Sequence, residues 1–139
     1  MSDEWETPDD LFNEWNEKFH FELDVCATAE NAKCERFFTK EQNGLMQKWV
    51  GICWMNPPYS KPNLNKFMKK AYESSLEGAT VVCLVPSYTD TLWWHKYVTK
   101  GVHEHIKGRL KFNNYDIPAR FPNTLVIFYP PNNKEDCNV

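Results

Sequence analysis

A short apolar run that ends in two prolines is the strongest constraint on the fold of this chain. Residues 51–55 have the composition of a buried strand, and the sequence Asn56-Pro57-Pro58-Tyr59 follows them directly. Because proline has no backbone N–H and fixes its φ angle, the strand must end there in a stiff turn. Open α/β sheets bind ligands at the carboxyl ends of their strands, so this turn is a predicted site.

The side chains of this turn suit a planar ring that bears an amine. The Asn56 amide offers one carbonyl acceptor and two N–H donors, and the Tyr59 ring offers a flat face for stacking. Pro57 contributes a backbone carbonyl without an adjacent N–H, so the turn presents acceptors. The alternative is a purely structural Pro-Pro turn that carries a surface aromatic residue.

Around this turn, apolar patterns of strand and helix alternate along the chain. Capping and periodicity predict one helix that begins with Thr7 as its cap and Pro8 in its first position, a second along residues 64–72 that ends by Gly78, and a third capped by Asp90. Predicted strands cover residues 21–27, 52–55, 80–85 and 124–129, with a strand or hairpin arm at 106–112. Residues 28–48 are expected to form a loop with a short helix, and Trp93-Trp94 to be half core and half surface. This alternation predicts an α/β fold with a mostly parallel sheet.

Length and composition indicate one domain, expected at residues 1–131, followed by a polar tail at residues 132–139. No apolar stretch reaches membrane-spanning length, and the acidic N-terminus does not resemble a secretion signal, so a cytoplasmic protein is expected. The five cysteines form no C-x-x-C pair, which favours free thiols in a reducing compartment. His103 and His105 have no third ligand near them in sequence, so surface histidines are expected there, and no metal site.

Charge is divided unevenly along the chain. Residues 1–60 contain twelve acids and five bases, a net charge of −7, whereas residues 61–129 contain five acids and ten bases, a net charge of +5. Such asymmetry allows a polyanion to bind one side of an acidic protein, although it also arises by accident on a solvated surface. The candidates for contact with the phosphates of such a polyanion are Lys61, Lys66, Lys70, Arg109 and Lys111.

The whole chain resembles the phage-type DNA N-6-adenine methyltransferases. The resemblance rests on residues 5–8 (Trp-Glu-Thr-Pro), 23–27 (Leu-Asp-Val-Cys-Ala), the 56–59 tetrapeptide, 108–112 (Gly-Arg-Leu-Lys-Phe) and the apolar run that ends near Tyr129. It implies an abbreviated Rossmann-like methyltransferase domain that moves a methyl group from S-adenosylmethionine to an adenine flipped out of double-stranded DNA.

The resemblance also implies roles for individual residues. The Asn56 and Pro57 carbonyls would accept hydrogen bonds from the adenine amine, and Tyr59 would stack on the base. The implied catalytic set is Asn56, Pro57, Pro58 and Tyr59, and the implied cofactor-binding set is Trp5, Thr7, Pro8, Asp24, Ala27 and Asn56.

One departure from related methyltransferases concerns the cofactor pocket. A glycine-rich loop after the first strand is missing, because the five glycines lie at positions 44, 51, 78, 101 and 108. Residues 43–45 are a candidate adenine-binding loop, with a plain turn as the alternative. Two other functions stay open: methylation of a protein glutamine amide or an RNA base, and a non-catalytic DNA-binding remnant.

Overall fold

The computed structural model describes residues 5–131, which form a six-stranded sheet with helices and loops on both faces. Its helices are α1 (Asp9–Phe19), α2 (Asn63–Leu76) and α3 (Leu92–Lys96), with 3-10 turns at Gly44–Met46 and Val98–Lys100. Its strands are β1 (Leu23–Asp24), β2 (Arg36–Phe37), β3 (Ile52–Met55), β4 (Thr80–Pro86), β5 (Val102–His105) and β6 (Asn123–Phe128).

The strand order is β2-β1-β3-β4-β6-β5. The β2-β1, β1-β3 and β3-β4 pairs are parallel, and β6 lies antiparallel between β4 and β5. The predicted α/β class and abbreviated Rossmann-like sheet are therefore confirmed, with an antiparallel edge beside the parallel part. After β1 the chain turns to one side to form β2 and then crosses to the other side to form β3, so a topological switch point lies between β1 and β3.

The central strands alternate between two cores, because successive side chains of a strand point to opposite faces. On β4, Val81, Cys83 and Val85 pack against α2 and α3, while Val82 and Leu84 pack on the other side. That second core is rich in aromatic rings and lies beneath α1 and the segment 106–122. Both faces of β4 are covered, which explains why its sequence is continuously apolar.

The helices follow the predicted apolar stripes, but their first residues differ from the predicted caps. Pro8 rather than Thr7 precedes α1, and its carbonyl accepts the amide N–H of Phe12 at 3.1 Å. The Thr7 hydroxyl is absent from the cap because it bonds to Asn56 instead. Thr91, not Asp90, caps α3 through a 3.4 Å hydrogen bond from the Trp94 amide.

Four other sequence expectations are corrected. The strand expected at residues 21–27 is confined to Leu23–Asp24, and the loop at 28–48 contains the two-residue strand β2. Residues 106–112 form an irregular loop, whereas the strand in that region is β5. Trp93 and Trp94 are both buried, because both pack into the core beside α2. Within residues 5–131, no helix is both long enough and apolar enough to span a membrane.

Candidate functional site

A cavity of about 400 Å³ opens at the switch point between β1 and β3. The carboxyl ends of these strands supply Asp24 and Asn56, and the N-terminal segment supplies Trp5 and Thr7. This volume falls in the range of small-molecule sites, and the position is the one at which open α/β sheets bind cofactors. Most of the predicted cofactor-binding residues are therefore brought together, namely Trp5, Thr7, Asp24, Ala27 and Asn56.

The Asn56 side chain is held in one orientation. Its Nδ2 donates to the Thr7 hydroxyl at 3.0 Å and also to the backbone carbonyl of Trp5. Because a carbonyl can only accept, the amide nitrogen must face Trp5, and the oxygen Oδ1 must face the other way. Oδ1 is buried and has no hydrogen-bond partner among residues 5–131. An unpaired buried acceptor is costly, and here it stands beside the cavity where a donor from a ligand could satisfy it.

Tyr59 contributes its ring and keeps its hydroxyl proton. The hydroxyl donates to the backbone carbonyl of Leu84 at 3.0 Å and accepts a 3.4 Å hydrogen bond from the Asn123 amide. Burial raises the pKa of Tyr59 well above its ordinary value, so the hydroxyl stays neutral. Pro57 and Pro58 line the cavity, whereas Tyr59 lies beyond it with its ring near that of Trp5.

Asp24 is a buried carboxyl group at the end of β1. It accepts backbone N–H groups from Cys26 at 3.2 Å and from Lys33 at 3.1 Å. Desolvation by burial raises its pKa to about 7, against the opposing effect of those two hydrogen bonds and of the Lys33 charge. Asp24 is therefore not a solvated surface carboxylate, since only 3% of the residue is exposed.

Two loops complete the cavity where a glycine-rich loop is missing. The first loop, between β1 and β2, is held by the two hydrogen bonds to Asp24 and by a 2.6 Å ion pair between Lys33 and Asp9. The second loop, between β2 and β3, passes so close to the end of β1 that a Cβ added to Gly44 would lie 2.5 Å from the carbonyl oxygen of Val25. The candidate loop at 43–45 thus lies at the cavity. Sequence reasoning missed the remaining lining residues, which are Glu6, Val25, Cys26, Thr28, Asn31, Lys33, Phe38, Thr39, Lys40, Trp54, Asn63 and Phe67.

The other predicted site residues lie outside the cavity. Pro8 does not line it and instead begins α1. Arg109 and Lys111 are exposed on the segment 106–122, where the Arg109 guanidinium donates to the carbonyl of Arg120 at 2.8 Å. Lys61 and Lys66 are exposed near the start of α2.

Lys70, the remaining DNA-binding candidate, is partly buried on α2. Its ammonium group lies 5.8 Å from the centre of the Trp49 ring. That packing makes it a poorer phosphate contact than the exposed lysines.

Together the sheet, the cavity at its switch point and the Asn-Pro-Pro-Tyr turn define a Rossmann-like amino-methyltransferase domain. The family model for DNA N-6-adenine-methyltransferase (Dam) matches residues 1–125. A DNA N-6-adenine-methyltransferase of Haemophilus phage HP1 is 36% identical over 138 residues, which cover 92% of this chain and 79% of the phage protein. One from Escherichia phage T1 is 34% identical over 98 residues, covering 68% of this chain and 40% of that protein. The chain belongs to the DNA N-6-adenine-methyltransferase family.

Proposed function

We propose that this protein transfers a methyl group from S-adenosylmethionine to the N6 amine of adenine in double-stranded DNA. Family membership supports the reaction class, and one structural observation supports the chemistry. That observation is the buried Oδ1 of Asn56 at the cavity, which has no hydrogen-bond partner among residues 5–131. Its orientation is set by Nδ2, which donates to the Thr7 hydroxyl and to the Trp5 carbonyl.

The cavity residues fit the proposed cofactor. When bound, S-adenosylmethionine supplies an electrophilic methyl group on a positively charged sulfur. The Asp24 carboxylate suits a ligand with positive charge, because ionisation of this buried group is favoured when a cation lies nearby. Phe38 and Phe67 provide apolar surface for a ring, and the close approach of Gly44 to Val25 brings the backbone of the second loop to the cavity.

The turn residues act on the amine. The adenine N6 lone pair is delocalised into the ring, so the amine is a weak nucleophile. Asn56 Oδ1 accepts a hydrogen bond from one amine hydrogen and the Pro57 carbonyl accepts one from the other, which favours a nitrogen that becomes tetrahedral as it is methylated. The methylated nitrogen then loses one proton to water. The Thr7 hydroxyl orients the Asn56 amide before the substrate arrives, and such preorganised hydrogen bonds are effective in a site with little water.

The adenine must leave the duplex to reach this turn, since its N6 group takes part in base pairing. Stacking on Tyr59 would recover part of the unstacking cost, at roughly 1–3 kcal/mol for each base–aromatic contact. Phosphate contacts are assigned to Lys61, Lys66, Arg109 and Lys111, all of which are exposed. The phage relatives favour the cytoplasm of a bacterial host as the place of the reaction.

The decisive test is mass spectrometry of nucleosides from DNA of diverse sequence incubated with protein and S-adenosylmethionine. We expect N6-methyladenine; finding only N4-methylcytosine, or no methylated base, would contradict the proposal. RNA and glutamine-containing peptides serve as alternative substrates in parallel. Thermal unfolding with and without the cofactor separates an enzyme from a DNA-binding remnant, because a remnant gains no heat protection from the cofactor.

A further inference from the structure

Next to the cavity, a set of aromatic rings surrounds the side chain of Trp5. The indole lies nearly parallel to the Tyr115 ring, with centroids 4.4 Å apart and planes at 16°, and to the Tyr59 ring, at 6.0 Å and 20°. The rings of Phe112 and Phe121 meet its edge at 5.4 Å and 5.0 Å. We name the space bounded by Tyr59, Phe112, Tyr115 and Phe121 the aromatic chamber.

The indole in this chamber has the form of a purine. Both are flat, fused two-ring systems, and both gain from stacking on aromatic faces. The backbone carbonyl of Trp5 accepts a hydrogen bond from the Asn56 side chain, so Trp5 directly contacts the turn assigned to the amine. It covers the face of Tyr59 on which a base would stack.

The segment that carries Trp5 is joined to the segment 106–122 by polar contacts at the surface. Asn113 donates its backbone N–H to the Glu6 carbonyl at 2.9 Å, and the Glu6 N–H donates to the Asn114 side chain at 3.0 Å. The Asn113 side chain donates to Asp9 at 3.2 Å. The two side-chain contacts are exposed, so water can replace these partners at little cost when the segments separate.

We propose that the aromatic chamber is the binding site of the extruded adenine, and that the Trp5 indole occupies it when DNA is absent. The inference rests on the proposed function and extends the base site from Tyr59 to Tyr115, Phe112 and Phe121. The indole keeps the chamber closed to water. It also lowers the apparent affinity for DNA, because only the fraction of molecules with Trp5 displaced can accept a base.

Photo-cross-linking locates the adenine without requiring turnover. DNA duplexes of mixed sequence carry an azido group on the adenine ring, and the irradiated complex is digested with trypsin. Cleavage after Lys111 and Arg120 gives the peptide 112–120, which contains Phe112 and Tyr115; cleavage after Lys48 and Lys66 gives the peptide 49–66, which contains Tyr59. We expect cross-links in both peptides, in preference to those formed by duplexes with an azido group on guanine.

Variants then test each part of the chamber. Tyr115→Leu should weaken DNA binding about tenfold through loss of one stacking contact, whereas Tyr115→Phe should bind as the wild type does. Tyr72→Leu is the matched control, because Tyr72 packs on the opposite face of the sheet. Trp5→Ala should tighten DNA binding by about twofold or more, since the occupant of the chamber is gone. Thermal midpoints and circular dichroism spectra establish that each variant is folded.

The outcomes separate this inference from the proposed function. Cross-links in the two peptides without N6-methyladenine formation would support the chamber and contradict the activity. N6-methyladenine formation with cross-links in neither peptide would overturn the chamber and leave the activity standing. Weaker DNA binding by a folded Trp5→Ala variant would also overturn the role given to the indole.

Discussion

The cavity and the aromatic chamber meet at Asn56 but are built in different ways. The cavity is framed by the ends of β1 and β3, whose positions are set by parallel pairing of Leu23 with Cys53. The chamber is framed by rings from segments without regular structure, joined by surface hydrogen bonds. A small cofactor of constant shape suits the first construction. A base that arrives attached to a long duplex suits the second, because irregular segments can part without disturbing the sheet.

The largest expected effect comes from Asn56, which lines the cavity and bonds to the backbone of Trp5 in the chamber. Asn56→Ala removes the proposed acceptor for the amine and should lower kcat on the order of 100-fold or more, by analogy with the loss of an oxyanion-hole donor. Heat protection by the cofactor should change much less. Asn65→Ala, in α2, is the control for loss of an asparagine side chain outside the turn. A variant that retained most of its turnover would show that Asn56 is not the amine acceptor.

Tyr59 tests the chamber alone. Tyr59→Ala should raise the KM for DNA about tenfold or more, because a stacking face is lost, while cofactor binding persists. Tyr59→Phe should retain activity and lose about 1 kcal/mol of stability, since the hydroxyl no longer bonds to the Leu84 carbonyl. Steady-state kinetics and urea unfolding measure the two effects. Equal damage from both variants would assign the role to the hydroxyl instead of the ring.

Asp24 tests the cavity alone. A bound cation favours the ionised carboxylate, so cofactor binding should release a proton from a group whose pKa is raised to about 7. Cofactor affinity should therefore increase as the pH rises from 6 to 8 and level off above that pKa. Titration calorimetry in buffers with different heats of ionisation measures the number of protons released when the cofactor binds. Asp24→Asn should bind weakly with a flatter pH profile, whereas the exposed control Asp10→Asn should behave as the wild type.

The smallest effects are expected from the exposed bases. Arg109 and Lys111 lie on the segment that bounds the chamber, so their joint replacement by alanine should weaken DNA binding several-fold and reduce the salt slope by about 1–2. The pair Lys66 and Lys70 should matter less, because Lys70 lies against Trp49. Lys18→Ala with Lys48→Ala, in the acidic half, is the control. Filter binding at several salt concentrations would reject the charge argument if all three pairs lost affinity equally.

The difference between the two regions also explains what could be predicted from sequence. Strands β3 and β4 and the turn after β3 were predictable, because a buried strand and a proline pair leave strong local patterns. The two-residue strand β2 is too short to show any periodicity. The chamber was missed because contacts between Trp5 and Tyr115 depend on segments far apart in the chain, and aromatic residues in a loop have no spacing that marks them as neighbours.

The predicted helix cap at Thr7 also shows that local sequence patterns do not reveal contacts between distant residues. Thr7 followed by Pro8 and two aspartates matches a helix start, and α1 does begin at Asp9. The hydroxyl nevertheless bonds to the Asn56 side chain, 49 residues away. A tertiary hydrogen bond thus replaced the local one, and the residue became part of the site.

The pairing of residues 6 and 114 has a consequence for how the molecule is made and handled. A contact across 108 positions closes most of the chain into a loop, and such closures are slow relative to local structure. The proposed base site would then form late in folding. An affinity tag placed close to Trp5 would lie beside this contact, so protein tagged there should be compared with a form tagged elsewhere before its DNA affinity is interpreted.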